Sequence, residues 1–189
     1  MLEDLITKNR SVRRFKQDEP IKEQTLCELV DLARLSASGA NLQPLKYILS
    51  CSPEKNQLIF PNLVWAGYLR DWEGPAEGER PAGYIIILGD KSISESFGCD
   101  HGIAAQSILL GAAEKGLSGC MLGSIKREKL RENLDIPQQY EILLVIALGK
   151  AGEKVVLEDK QPEGDIKYWR DSEGVHHVPK RTLDEIIIG

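Results

Sequence analysis

Two continuous apolar runs constrain this chain most: Tyr84-Ile85-Ile86-Ile87-Leu88-Gly89 and Ile142-Leu143-Leu144-Val145-Ile146-Ala147-Leu148-Gly149. Runs of this length without polar alternation read as strands covered on both faces. Between them, residues 102–115 place Ile103, Ala104, Ile108, Leu109, Leu110, Ala112 and Ala113 around most of a helix circumference. That helix is expected to be buried, with Gly116 as its C-terminal stop. A chain of 189 residues suffices for one domain with a sizeable core, or at a stretch for two small ones.

Weaker marks fill in the rest. Residues 45–49 read as a third strand, and Ile21, Leu26, Leu29, Val30 and Ala33 recur at helical spacing after Pro20. Leu2, Leu5 and Ile6 give a short helical stripe, and residues 126–134 a surface helix that stops before Pro137. Residues 53–72 are rich in aromatics but broken by Pro61 and Gly67, and no element is assigned there. Beyond Gly149 the chain turns polar, with Tyr168-Trp169-Arg170 and residues 182–188 as its only apolar marks. The expectation is a single domain, 1–189, of three strands and four or five helices, followed by a long tail.

The formal net charge of −5 argues against nucleic acid as the main partner, because phosphate backbones are bound by broad basic surfaces. No run reaches the 18 apolar residues of a membrane span. The start, Met1-Leu2-Glu3-Asp4, is acidic where a signal peptide is basic, so the expected location is the cytoplasm. Cys27, Cys51, Cys99 and Cys120 form no CxxC pair and read as reduced thiols; with His101, His176 and His177 they give no metal-ligand spacing. His101, beside Asp100 at a helix start, reads as structural, the carboxylate capping exposed N–H groups.

Against that acidic background, Asn9-Arg10-Ser11-Val12-Arg13-Arg14-Phe15 crowds three arginines and a serine together. Arginine grips phosphate at two points and serine adds a hydroxyl donor, so the cluster fits a small-anion site; it fits a solvated helix end equally. Gly116-Leu117-Ser118-Gly119-Cys120-Met121-Leu122-Gly123 lets backbone approach a ligand, or is a helix cap and tight connection. It lacks the strand-to-helix GxGxxG spacing of dinucleotide folds. Ser36-Ala37-Ser38-Gly39-Ala40-Asn41-Leu42-Gln43-Pro44 reads as a loop with amide groups able to read a heteroaromatic edge, or as a plain turn. The basic pair Lys180-Arg181 is either solvated or part of an anion site.

Taken in order, Arg10-Ser11-Val12-Arg13 with Phe15, the loop of residues 36–44, and the buried helix with Gly102, Ala104, Ala105 and Gln106 leading to Gly116-Leu117-Ser118-Gly119 resemble the FMN-dependent nitroreductase family. The resemblance spans nearly the whole chain. It implies an α+β fold with a central, mostly antiparallel sheet flanked by helices. It also implies an intertwined homodimer with FMN at the interface and a tail, after about residue 150, extending over the partner subunit. By the same likeness Arg10, Ser11 and Arg13 would hold the phosphate and ribityl chain, with Arg13 also serving the N1 edge of the ring. Ala37, Ser38, Gly39 and Asn41 would come from the other subunit. Met121, Leu122 and Gly123 would lay backbone against the ring, and Lys180 or Arg181 would complete the phosphate site.

Differences from the family are Ala37 where proline is frequent, Leu45 where an aromatic often follows Pro44, and Ser107 where asparagine commonly follows the helix glutamine. The implied activity takes hydride from NADH or NADPH and passes electrons by a ping-pong mechanism to a nitroaromatic, quinone or similar small acceptor. No protein acid, base or metal is needed. Trp65, Tyr68 and Trp72 are candidates for the acceptor pocket, and equally for core or dimer contacts. Two other readings share the likeness: a flavin-fragmenting enzyme resembling dimethylbenzimidazole synthase, and a non-catalytic FMN-binding protein. Cys120 is expected to have no redox role.

Overall fold

The computed structural model describes residues 1–69 and 71–189. The main sheet contains β1 (Leu45–Ser50), β2 (Gly83–Asp90), β3 (Ser118–Leu122) and β4 (Tyr140–Gly149). Its order is β1-β2-β4-β3 and every pairing is antiparallel. The three strands expected from the apolar runs are all there, and β2 and β4 occupy the centre.

The strand period of two explains why β2 carries no polar break. Tyr84, Ile86 and Leu88 point into one core and Ile85 and Ile87 into the other, leaving all eight residues of β2 buried. On one face, α2 (Glu23–Arg34) and α4 (Asp100–Glu114) pack Leu26, Leu29, Ala105, Ile108 and Ala112 against Ile85, Ile87, Ile146 and Leu148. Gly111 lets the two helices approach closely: a Cβ there would lie 2.2 Å from Leu32 Cδ1. On the other face, Val12, Phe15, Ile59, Leu63 and Trp65 meet Tyr84, Ile86 and Leu88. Here α3 (Pro53–Ile59) and α5 (Arg127–Asn133) close the layer, with Leu130 fully buried.

α1 (Leu2–Lys8) leads into the arginine cluster. The glycine segment, which could bring backbone to a ligand or form a cap and connection, supplies β3 at the sheet edge. Gly119 is a packing glycine there. Its added Cβ would meet Leu109 Cδ2 at 2.5 Å and the Ala147 carbonyl oxygen at 2.8 Å. Gly116, at φ +71, ends α4 as expected.

The tail builds a second sheet from β5 (Val155–Asp159), β6 (Trp169–Arg170) and β7 (His176–Lys180), in the order β5-β7-β6. Strands β5 and β7 are parallel, and β6 and β7 antiparallel. Residues 155–180 thus fold against their own chain. After them, α6 (Leu183–Ile186) and the residues that follow leave Leu183, Ile186, Ile187 and Ile188 exposed. No helix among the described residues is long and apolar enough to cross a membrane.

Candidate functional site

The arginine cluster runs along the edge of β3. Val12 N–H donates to the Gly119 carbonyl at 3.0 Å, and Ser11 bridges Gly119 in parallel. The tail sheet closes over the same place, forming an open groove of about 850 Å³. Its charged lining is Arg10, Arg13 and Lys180, with Asn9, Ser11 and Gln106 as neutral polar groups. Leu109, Gly119, Met121, Tyr168, His176 and Val178 make up the remainder. Among the described residues, three cations and no carboxylate line the groove, in a chain of net charge −5. Such a wall favours an anion.

Each cation is held differently. Arg10 Nη2 donates to the Ile6 carbonyl at 2.6 Å, while its Nε is buried without a partner. Burial lowers the Arg10 pKa from its ordinary value, a shift that an arriving anion would oppose. Arg13 Nη1 donates to the Ser11 carbonyl at 3.3 Å, and its guanidinium lies 4.6 Å from the Tyr168 ring centroid. Lys180 stands at the end of β7, opposite Asp159. Arg14 faces away. Its Nε lies 3.4 Å from Glu79 Oε2 and its guanidinium 5.8 Å from the Trp72 centroid, so it is a structural cation.

His176 is fully buried beneath the tail sheet, 5.2 Å from the Tyr168 ring and with Nε2 3.3 Å from Arg13 Nη1. Burial, reinforced by Arg13, lowers its pKa to about 4. Because Arg13 can only donate, Nε2 is the acceptor and the proton sits on Nδ1, which is buried without a partner. Neither His176 nor Tyr168 was singled out from the sequence. His176 opens β7 and Tyr168 just precedes β6, both within a tail whose sequence is polar.

The loop candidates lie elsewhere in the chain. Ser38 Oγ donates to Asp100 Oδ2 at 2.5 Å and Gly39 N–H to Asp100 Oδ1 at 2.9 Å, which fixes the loop at the start of α4. Asp100 was expected to cap its helix; its carboxylate serves the loop instead. Ala37, Ser38 and Gly39 line an apolar concavity with Phe97 and Ile103. Asn41 is exposed in a left-handed conformation, φ +56, as are Ala40 and Gln43 at φ +48 and +51. The groove meets α4 further along, at Gln106 and Leu109. Within one chain the loop and the arginine cluster therefore line separate concavities.

Other candidates divide similarly. Met121 lines the groove, but the Leu122 side chain is core and Gly123 follows β3 with its carbonyl accepting from Arg127 Nη2 at 3.2 Å. Arg181 is exposed beyond β7 and is not among the groove-lining residues. Trp65 is 5% exposed and packs with Phe60 in the core. Tyr68 and Trp72 line a second concavity with Leu69, Asp71 and Arg170. Tyr68 also stands 5.0 Å from Tyr168, which connects that concavity to the groove. Cys120 is buried, and burial pushes its thiol up, which leaves it unreactive.

Residues 6–150, from the arginine cluster through β4, match the Nitroreductase family. The chain belongs to that family. Its relatives include the Bacillus subtilis (strain 168) protein provisionally named NAD(P)H nitroreductase YodC. That relative is 24% identical over 196 residues, covering 88% of this chain and 97% of YodC. Among solved structures, the FMN-dependent nitroreductase of Clostridium difficile R20291 aligns with a TM-score of 0.63 and 24% identity, over 79% of this chain and 87% of its own. A nitroreductase family protein from Streptococcus pneumoniae TIGR4 aligns with a TM-score of 0.72 and 15% identity over 100% of both chains. These likenesses establish a nitroreductase fold.

Proposed function

We propose that this protein is an FMN-dependent oxidoreductase of the cytoplasm that takes hydride from NADH or NADPH. It passes the electrons to a nitroaromatic, quinone or similar acceptor in a separate half-reaction. The observation that carries this reading is the carboxylate-free groove in which Arg10, Arg13 and Lys180 converge beside Ser11. The partnerless Arg10 Nε adds a free donor in that wall. These residues fit a phosphate-bearing group. Arg10, Ser11 and Lys180 would hold the phosphate, Arg13 the electron-accepting edge of the ring, and the backbone around Met121 the ring itself. When bound, FMN supplies the two-electron chemistry.

The chain's own contribution is binding, orientation and exclusion of water. Tyr168, Val178 and neutral His176 roof the groove and lower its dielectric, which strengthens the pull of Arg13 on negative charge. With a pKa lowered to about 4, His176 stays neutral near pH 7 and adds no charge to the groove. Ala37, Ser38, Gly39 and Asn41 would complete the site from a second copy in a homodimer. Residues 181–189, tied back through Glu185 to Lys160, leave Leu183, Ile186, Ile187 and Ile188 exposed as the part of the tail that would face that copy.

The test is anaerobic mixing of the FMN-loaded protein with NADH and with NADPH, followed by a panel of acceptors. The visible flavin band should bleach with at least one nicotinamide and return on adding a quinone or nitroaromatic. Bound flavin that neither nicotinamide bleaches would reduce the protein to an FMN binder.

A further inference from the structure

Glu153 lies between β4 and β5 with its side chain only 2% exposed. Its two oxygens serve two parts of the chain. Oε1 accepts the backbone N–H of Arg13 at 2.5 Å and of Arg14 at 3.1 Å. Oε2 accepts Arg170 Nε at 3.2 Å and Nη2 at 2.7 Å. Four donors satisfy the buried carboxylate.

What those donors belong to is the point. Arg13 enters the groove wall, and its backbone is set by Oε1. Arg170 ends β6, and two residues before it Tyr168 covers the Arg13 guanidinium. The root of the tail has its own ties. Gly152 N–H donates to the Arg14 carbonyl at 2.7 Å, and Phe15 bridges Ala151. Glu153 is therefore not required merely to keep the tail nearby. It adds a charged link from the N-terminal cluster across to β6, at the place where Arg13 and Arg170 flank neutral His176.

We propose that Glu153 is a positioning residue that couples docking of the tail sheet to the groove's grip on its anionic ligand. Coupling of this kind is reciprocal. Occupation of the groove stabilises the tail sheet, and loosening of the tail weakens the grip. The identity of the ligand rests on the FMN reading above; the coupling between Arg13 and Arg170 does not. A glutamine at 153 keeps one acceptor oxygen but turns an NH₂ toward either the Arg170 donors or the two backbone N–H groups. One half of the link must then release.

The experiment compares wild type, Glu153→Gln and Arg170→Lys, with circular dichroism to verify folding. Two quantities are read: residue-resolved amide exchange in the ligand-free protein and FMN affinity by fluorescence quenching. In Glu153→Gln, exchange at Arg13 and Arg14 and across residues 168–177 should quicken together, and FMN affinity should fall by about tenfold or more, the worth of one charge-assisted bond. Bound FMN should slow tail exchange in wild type. Arg170→Lys loses the two-point contact while keeping the carboxylate, so faster exchange at the distant Arg13 and Arg14 amides would report coupling directly. If Glu153→Gln does not fold, Arg170→Lys alone decides.

Tail exchange that changes without the Arg13 and Arg14 amides following would overturn the proposal. So would wild-type FMN affinity in a folded Glu153→Gln protein. If wild type binds no FMN, the functional reading fails, while ligand-free exchange still decides the coupling.

Discussion

Ser38 Oγ and Asp100 Oδ2 stand 2.5 Å apart, a hydrogen bond that fastens the left-handed loop to the start of α4. Gly39 N–H occupies the other carboxylate oxygen, and Ser38 Oγ also accepts Gln43 N–H at 2.9 Å. Non-glycine residues in the left-handed region cost on the order of 1 kcal/mol each, so Ala40, Asn41 and Gln43 need such an anchor. Asp100→Ala should destabilise the fold by about 2–3 kcal/mol, as expected for lost bonds to a charged acceptor. Urea unfolding measures the loss. An unchanged midpoint would show that the loop holds itself.

The adjacent histidines of β7 face opposite ways and titrate in opposite directions. His176 has a folded pKa of about 4 against an ordinary 6.5. Its contribution is therefore present above pH 6.5 and lost as pH falls through 4, amounting to about 3 kcal/mol at 1.36 kcal/mol per unit. His177 is raised instead, because Asp171 accepts from Nε2 and Glu158 from Nδ1 of the imidazolium, while Trp169 stacks on the ring at 4.1 Å. Its contribution is present below the ordinary value of 6.5 and lost as pH rises through the raised one. Stability measured against pH should accordingly decline on both sides of neutrality. His176→Gln should flatten the acid limb and His177→Gln the alkaline limb.

Gly119→Ala tests the packing account of β3. The new Cβ would fall 2.5 Å from Leu109 Cδ2 and 2.8 Å from the Ala147 oxygen, and the second is backbone and cannot turn aside. Overpacking of this kind costs about 1–3 kcal/mol. Because Gly119 also receives Val12 N–H, the strain should reach the arginine cluster. Both the melting temperature and FMN affinity are expected to fall. A variant as stable as wild type would contradict the close packing.

What could be read in the sequence followed physical lines. β2 and β4 announce themselves because burial on both faces demands unbroken apolar runs, and edge strand β1 by a shorter run interrupted only by Lys46. β3 does not, since Gly119 has no side chain to count and contributes by its absence of one. The tail sheet was also hidden. It is held by Glu153–Arg170, by His177 between Glu158 and Asp171, and by Tyr168 on Arg13, none of which leaves a hydrophobic period. In the groove, Arg10, Ser11 and Arg13 are adjacent in sequence and visible as a cluster, with Met121 and Lys180 legible through resemblance. His176 and Tyr168 come from the polar tail, where no pattern in the sequence marks them. For Trp65 the sequence left pocket wall and core open, because residue type alone does not separate them, and its position is core.

The central claim is that the carboxylate-free groove grips the phosphate of FMN. Its most direct test is FMN titration of the wild-type protein against the double variant Arg10→Ala, Arg13→Ala. Each charge-assisted hydrogen bond lost is worth about 1.5–3 kcal/mol. Wild type should bind about one FMN per chain, and the double variant should lose at least about a hundredfold in affinity, the sum of two such bonds. Equal affinity in a folded double variant would place the phosphate elsewhere and contradict the account.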